Sequence, residues 1–474
     1  MARLLDWAAV LTLLLGGCSL APRLQVPDVP TANAYKELGP WTRAQPADRL
    51  PRDSWWTLYE TAEIGDLQQQ LLAGNPTLAA ALANYGQAKA LSDQARAGLF
   101  PTLGLNAAAS RARNSAHAPL LGPTAPRYDN DNTVGGSVSY ELDLWGQIRN
   151  RVAAGEANAQ ASAADLESAR LSLLAQLVDD YVQLRSLDRE KAILDDTVSA
   201  FDRALNLTEQ RHGAGIAAGL DVAQAQTQLE AARSQGTQIL AQRALMEHAI
   251  AALLGISASN FSIKPAIVDI KLPQIPAGVP SALLERRPDI AGAQRRMIAA
   301  NANIGVARAA YFPSLTLNAQ GGFQSTAVSN WLSAPSSFWA IGPNALLSVF
   351  DGGLRRAQVA QARAEFDASA ADYRSVVVAA FQQVEDDLAS LNHYYDAAQQ
   401  EKAAVDAAQR SLNLSLVLYK QGAADYLTVV ISQTALLQAQ LLALNLDTLQ
   451  LRASVDLVRA LGGGWEDTHR MAAR

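Results

Sequence analysis

Cysteine is almost missing from this chain: the only one, Cys18, sits near the start of 474 residues. The body of the protein therefore has no disulfide framework and no thiolate chemistry. Only four methionines occur, which argues against a soft-metal path lined by thioethers. The five histidines, His117, His212, His248, His393 and His469, are scattered without metal-ligand spacing, and no glycine-rich phosphate loop is present. No metal, no cofactor and no nucleotide hydrolysis are expected. Formal net charge is -6 with no basic run to follow a phosphate backbone, so nucleic acid is not an expected partner. Asp179-Asp180 and Asp386-Asp387 are adjacent carboxylates, but neighbouring residues on a helix diverge. Nothing assembles a nucleophile with a base, and an enzyme is not expected. Past the N-terminal leader no apolar run approaches the ~20 residues of a spanning helix. A membrane crossing would then require a closed β-barrel, which satisfies its backbone polar groups in lipid.

What the chain does contain is one pattern written twice. Asn75-Pro76 through Phe100-Pro101-Thr102-Leu103 returns as Arg287-Pro288 through Phe312-Pro313-Ser314-Leu315, 212 positions downstream. Beyond an intervening loop the offset becomes 207, pairing Gly146 with Gly353, Asp179-Asp180 with Asp386-Asp387, Gly215 with Gly422, and Leu254-Gly255 with Leu461-Gly462. A period of about 200 residues is too long for a solenoid and predicts one structural unit used twice. Each half reads as helix, strand, polar loop, strand, very long helix, turn, helix.

The strand signals alternate with period two. Val134, Gly136, Val138, Tyr140, Leu142 and Leu144 share one face, and Ser137, Ser139, Glu141 and Asp143 the other. Leu103, Leu105, Ala107 and Ala109 oppose Thr102, Asn106 and Ser110; Leu315, Leu317, Ala319 and Phe323 oppose Ser314, Thr316, Asn318 and Gln320. Phe100, Trp145, Phe312 and Phe350 stand where strand meets helix, as the interfacial girdle of a membrane barrel requires. Polar loops at 116–131 and 325–336 join the strands of each pair. The fourth strand, around Phe338 to Phe350, alternates less cleanly and its phase is open.

Between Leu354 and Gln421 there is neither Gly nor Pro, and Gln147 to His212 holds only Gly155. About 68 residues at ~1.5 Å each would extend roughly 100 Å. Val377, Phe381, Val384, Leu388, Leu391 and Tyr395 form a coiled-coil seam by their spacing, echoed by Leu174, Leu177, Tyr181 and Leu184. Gly213 to Gly219 and Gly422 to Asp425 supply turns into a returning helix. Four strands cannot close a barrel on their own, because the smallest single-chain membrane barrels have about eight. Several copies must share one wall. The expected fold class is mainly α with a membrane β-barrel portion continuous with a long coiled-coil α-barrel, two tandem repeats per chain.

At the N-terminus, an apolar stretch from Trp7 to Leu15 ends in Leu15-Gly16-Gly17-Cys18, which resembles a bacterial lipobox. Cys18 is then the lipidated first residue of the mature chain, and Ser19 after it suits sorting to the outer membrane. The expected division is 1–17 signal peptide, 18–54 acylated extended arm, 55–255 first repeat, 256–280 linker, 281–465 second repeat and 466–474 tail.

Glu285-Arg286-Arg287-Pro288-Asp289-Ile290, Ala300-Asn301-Ala302-Asn303-Ile304-Gly305-Val306-Ala307-Arg308 and Phe312-Pro313-Ser314-Leu315 follow one another here. With Trp55-Trp56, Leu220-Asp221-Val222 … Gln226, Phe350-Asp351-Gly352-Gly353 and Leu461-Gly462-Gly463-Gly464-Trp465, they resemble the signature of the outer-membrane factors of tripartite efflux pumps, the TolC-like lipoproteins. The resemblance covers nearly the whole mature chain. It implies a homotrimer with twelve strands, docked to a periplasmic adaptor and to an inner-membrane transporter, expected to be proton-driven, in an outer membrane whose lipid surrounds the barrel. It also implies a periplasmic gate near the helical turns, at Asp221 and Tyr419. Where relatives often place Arg or Asp, this chain has Ala424, Thr428 and Ile431, which suggests an apolar constriction through Ile431 and Leu427. Asp221 equally suits a capping role at the positive end of a helix. Gly215, Gly219, Gly422 and Asp425 are the expected adaptor-contact turns. Export of drugs and toxic organics is the reading favoured; a channel for type I protein secretion, or a periplasmic coiled-coil spacer lipoprotein, are the alternatives.

Overall fold

The computed structural model describes residues 19–28, 34–37, 55–59, 61–113, 115, 128–273, 275 and 286–463. The leader, Cys18, the tail, Glu285, Gly464, Trp465 and most of the first polar loop lie outside the described residues.

In the first repeat α1 (Ala62–Gly74) and α2 (Pro76–Ala97) lead into β1 (Thr102–Arg113) and β2 (Tyr128–Glu141), then α3 (Gln147–Gly213) and α4 (Gly219–Leu253). The second repeats the series with α5 (Pro288–Ala309), β3 (Ser314–Ser325), β4 (Ser337–Leu346), α6 (Leu354–Lys420) and α7 (Tyr426–Ala460). The two longest helices have 67 residues each. The chain divides into two compact units, and each draws on both repeats: residues up to 27, 84–162 and 292–373 in one, 28–83, 163–291 and 374 onward in the other.

In the first unit all four strands form one antiparallel sheet in the order β1-β2-β3-β4, so β2 pairing with β3 joins the two repeats. The register aligns the alternations. Leu105 faces Gly136, Val138 faces Ala319, Leu317 faces Pro343, and Gly321 faces Trp339. One face is thus apolar on every strand, and the other carries Thr316, Asn318, Gln320 and their polar partners. This fixes the phase of the fourth strand: Trp339, Ile341, Pro343 and Ala345 join the apolar face. The strand ends at Leu346, short of the expected Phe350, while β2 begins at Tyr128, inside the expected loop. The apolar face is uncovered, Leu105 being 92% and Trp339 79% exposed. At the centre of the polar face Gly135 opposes Gly322. A Cβ on Gly322 would come within 2.1 Å of the Val134 carbonyl oxygen, so β2 and β3 approach here in a way that only glycine fits. Where strand meets helix, Trp145 stacks on Phe312 at 4.6 Å and its indole N–H donates to the Pro313 carbonyl at 2.8 Å. Small residues carry the helix packing beside it: Ala154 and Ala157 of α3 with Ala299 and Ala302 of α5.

In the second unit Leu174, Leu177, Tyr181 and Leu184 meet Val384, Leu388 and Leu391 in one core with the ends of α1, α4 and α7. The seam on α6 departs from its expected course at Tyr395, which is exposed; Tyr394 packs on the core in its place, and burial resumes at Ala398. Among the described residues one helix, α7, is long and apolar enough to cross a membrane, against the expectation from hydropathy. Its apolar residues serve packing: Leu451, Val455, Leu457 and Val458 enter the large core, and Tyr426, Val429 and Leu436 a second one near the turn.

The duplication extends to helix endings. α3, α4, α6 and α7 all finish with the paired backbone bonds of a Schellman motif, for example Ile216 N–H to Arg211 O with Gly215 N–H to His212 O, and Ala423 N–H to Leu418 O with Gly422 N–H to Tyr419 O. At the other end of the returning helices, Gly255 and Gly462 have φ of 72° and 89°. A Cβ there would meet the Gly74 carbonyl oxygen at 2.2 Å or the Arg286 carbonyl oxygen at 2.8 Å. Both left-handed backbone and close approach demand glycine.

Candidate functional site

The residues expected at the gate and the adaptor contact gather at the two helical turns of the second unit. Around the α6–α7 turn, Tyr419 is buried at 3% exposure. Its hydroxyl donates to Thr208 Oγ1 at 3.3 Å, and its ring lies under the Arg211 guanidinium at 4.6 Å and against Tyr426 at 5.4 Å. Arg211 also donates to the Lys420 carbonyl. Tyr419 therefore ties α6 to α3 within one chain. Burial, followed by the neighbouring Tyr419 and the Asp221 carboxylate, pushes the Tyr426 hydroxyl up to about 12, so it stays protonated.

Asp221 and Tyr419 are not bonded to each other within the chain. The Asp221 carboxylate accepts the Ala218 backbone N–H at 3.3 Å, closing the first turn of α4. Asp425 caps α7: it accepts the backbone N–H of Thr428 at 3.1 Å and its hydroxyl at 2.6 Å, which holds the carboxyl below its usual range. Leu427 and Ile431, one helical turn apart, are both exposed, as are Ile216 and Leu220 at the other turn. Gly215 and Gly422 take φ of 73° and 75° to make the turns, and Gly219 opens α4. Sequence reasoning missed Thr208 and Arg211. The available signal was a break in the repeat: Arg211 and His212 occupy the positions of Leu418 and Tyr419 in the other half.

A further set lies at the middle of the long helices. The Asp188 carboxylate, buried, accepts from Arg185 at 2.8 Å, Arg243 at 2.7 Å and the Ala266 backbone N–H at 3.2 Å. Arg185 donates on to the Lys264 carbonyl, Arg243 to the Ile263 carbonyl, and Glu247 accepts the Ile263 N–H. The extended segment 261–266 is held against α3 and α4 in this way.

Near the sheet, the chain that follows Cys18 is also held. Asn301 donates to the Pro22 carbonyl at 3.0 Å, Arg308 to the Leu20 carbonyl at 3.2 Å, and Ser19 to the Asn150 side chain at 2.9 Å. A Cβ on Gly305 would meet the Ala21 nitrogen at 2.9 Å. Asn301, Gly305 and Arg308 share one face of α5 by their spacing. The lipidation site itself lies outside the described residues.

An open, outwardly apolar four-stranded sheet leading into 67-residue helices defines a class: the subunits of outer-membrane channels with a helical extension. Comparison with known proteins bears this out. The sequence profile of the family described as outer membrane efflux protein matches residues 67–256 and 279–463, once in each repeat. The chain is 31% identical over 459 residues to the antibiotic efflux pump outer membrane protein ArpC of Pseudomonas putida, covering 96% of this chain and 95% of that one. It is equally similar, by the same measures, to the toluene efflux pump outer membrane protein TtgC of Pseudomonas putida. Among solved structures, the outer-membrane channel OprN superposes with a TM-score of 0.88 at 28% identity, over 94% of this chain and all of that one. The chain belongs to the outer membrane efflux protein family. It is an outer-membrane efflux channel protein that extends into the periplasm, and its fold class is the one expected from the sequence.

Proposed function

We propose that three copies of this chain close a twelve-stranded barrel and form the exit duct of a tripartite pump for small, largely apolar compounds. One observation carries the reading: among the described residues the outer edges of β1 and β4 are unpaired, in a sheet whose apolar face is bare. Unpaired backbone groups cannot remain in lipid, so copies must pair edge to edge. Relatives named for antibiotic and toluene efflux support drugs and toxic organics as cargo.

The duct works passively. A periplasmic adaptor at the Gly215, Gly219, Gly422 and Asp425 turns and a proton-driven inner-membrane transporter supply cargo and energy. The lipid on Cys18 anchors the chain, and the bond from Ser19 to Asn150 with those from Asn301 and Arg308 holds the adjacent residues near the sheet. At rest, Leu427 and Ile431 narrow the periplasmic end, supported from behind by Tyr419, while Asp221 sets the start of the neighbouring helix. In planar bilayers the purified protein should conduct, and Tyr419→Phe or Asp221→Ala should raise single-channel conductance. Unchanged conductance in both would reject the gate while leaving the duct standing.

A further inference from the structure

At one end of the sheet the outward face changes character. Leu103, Leu105, Ala107 and Ala109 make the apolar side of β1, and the next two residues on that side are Arg111 and Arg113, opposite Asn130 and Tyr128. Both guanidiniums sit by the Tyr128 ring, at 5.6 and 5.9 Å from its centroid. Neither has a carboxylate partner among the described residues. The acids on the adjoining rungs, Asp129 and Asp131, lie opposite Ala112 and Ser110 and so belong to the polar inner face. Two cations are left on the lipid-facing side.

Their height is the second observation. From Leu103 to Arg113 is ten residues, roughly 33 Å along the strand at ~3.3 Å per residue; at the ~35–45° tilt of barrel strands this rises about 23–27 Å, which matches the ~25 Å apolar band of an outer-membrane barrel. Phe100 and the helices lie at the Leu103 end. Given the reading of the helices as periplasmic, on which this inference rests, Arg111 and Arg113 stand at the outer-leaflet surface. The lipid there is a glycolipid with phosphate on its sugar headgroup. A guanidinium pair meets such oxygens with charge-assisted, bidentate hydrogen bonds, and the Tyr128 ring offers an amphipathic surface at the same level.

We infer that Arg111, Arg113 and Tyr128 form a site on the outer wall for the phosphorylated headgroup of an outer-leaflet glycolipid. The test uses the full-length protein purified in detergent, titrated in native mass spectrometry with bis-phosphorylated lipid A, with the same lipid A stripped of its phosphates, and with phosphatidylglycerol. Bis-phosphorylated lipid A should bind at least about tenfold more tightly than either of the others. Arg111→Gln with Arg113→Gln should abolish that preference while oligomer mass and conductance stay unchanged. Equal binding of the phosphorylated and stripped lipids overturns the proposal in the wild-type protein, whatever the variant does. Phosphatidylglycerol binding as tightly as lipid A, or a preference that survives both substitutions, also overturns it. A wild-type protein that fails to form an oligomer would count against the channel reading, and is read out separately by mass.

Discussion

The two repeats share a backbone plan, yet their midpoints are held by different chemistry. In the first, Arg185, Asp188 and Arg243 make a buried ionic cluster that grips the backbone of residues 263–266. The corresponding positions 207 residues on are Asn392, Tyr395 and Gln450. Here Asn392 donates to the Glu37 carbonyl, so a neutral amide receives a piece of the N-terminal arm, while Gln450 donates to the Tyr394 carbonyl and ties α7 to α6. Glu385 accepts the backbone N–H groups of Lys36 and Glu37 beside them. Each midpoint binds a segment outside the helices, extended at 261–266 and a turn at 36–37, whose backbone groups need to be satisfied. A duplicated frame keeps its turns and glycines while its polar contacts diverge to suit the segment each one holds.

The sharpest way to break this comparison is at position 188 against 395. Asp188→Ala removes the carboxylate that two buried guanidiniums share, leaving Arg185 with Glu63 and Arg243 with Glu247, and should cost about 3 kcal/mol, whereas Tyr395→Ala, on an exposed side chain, should stay within about 0.5 kcal/mol. Thermal dissociation of the oligomer followed by circular dichroism measures both. Similar losses from the two would mean that the midpoints are equivalent after all.

Next come the shared glycines. Left-handed backbone alone should cost Gly255→Ala and Gly462→Ala about 1–3 kcal/mol each. The shorter approach at Gly255, 2.2 Å against 2.8 Å, makes it the worse of the two. The same thermal measurement ranks them, and a larger loss at Gly462 would contradict the packing described.

The smallest effect concerns Asp180 and Asp387, equivalent in the repeats. Burial, then the Asp179 charge, pushes Asp180 up to about 6, against a pull from Arg452. Burial, then Asp456, pushes Asp387 up to about 7, against Arg459. A carboxyl raised in the folded state binds its proton more tightly there than when unfolded. Its stabilising contribution is therefore complete below about pH 4 and is lost as pH rises through 6 to 7. Asp387→Asn should flatten that decline more than Asp180→Asn in thermal melts between pH 4 and 8. Melts that rise with pH in wild type but not in the variants would reverse the assignment.

Much of this was legible in the sequence, because each feature obeys a local rule. Period-two alternation marked the strands, absence of Gly and Pro marked the long helices, and Gly215 and Gly422 marked the turns. The phase of β4 was not legible, since Gly342 and Pro343 interrupt its alternation; pairing with β3 decides it. The seam failed at Tyr395 because spacing alone does not distinguish it from its neighbour Tyr394. The ionic midpoint was invisible because Arg185 and Asp188 read as an ordinary helical pair, and Arg243 and the 261–266 segment join them only through tertiary structure. At the turn, Tyr419 was found by resemblance, but its partners Thr208 and Arg211 lie on another helix.

The central claim is that one chain supplies only part of a closed wall, leaving β1 and β4 to pair with other copies. Native mass measurement of the detergent-extracted protein tests it most directly. Three copies of a chain whose full sequence weighs 50.4 kDa should travel together, and heating should release single chains with loss of strand signal. A monomer that keeps its sheet in detergent would contradict the account.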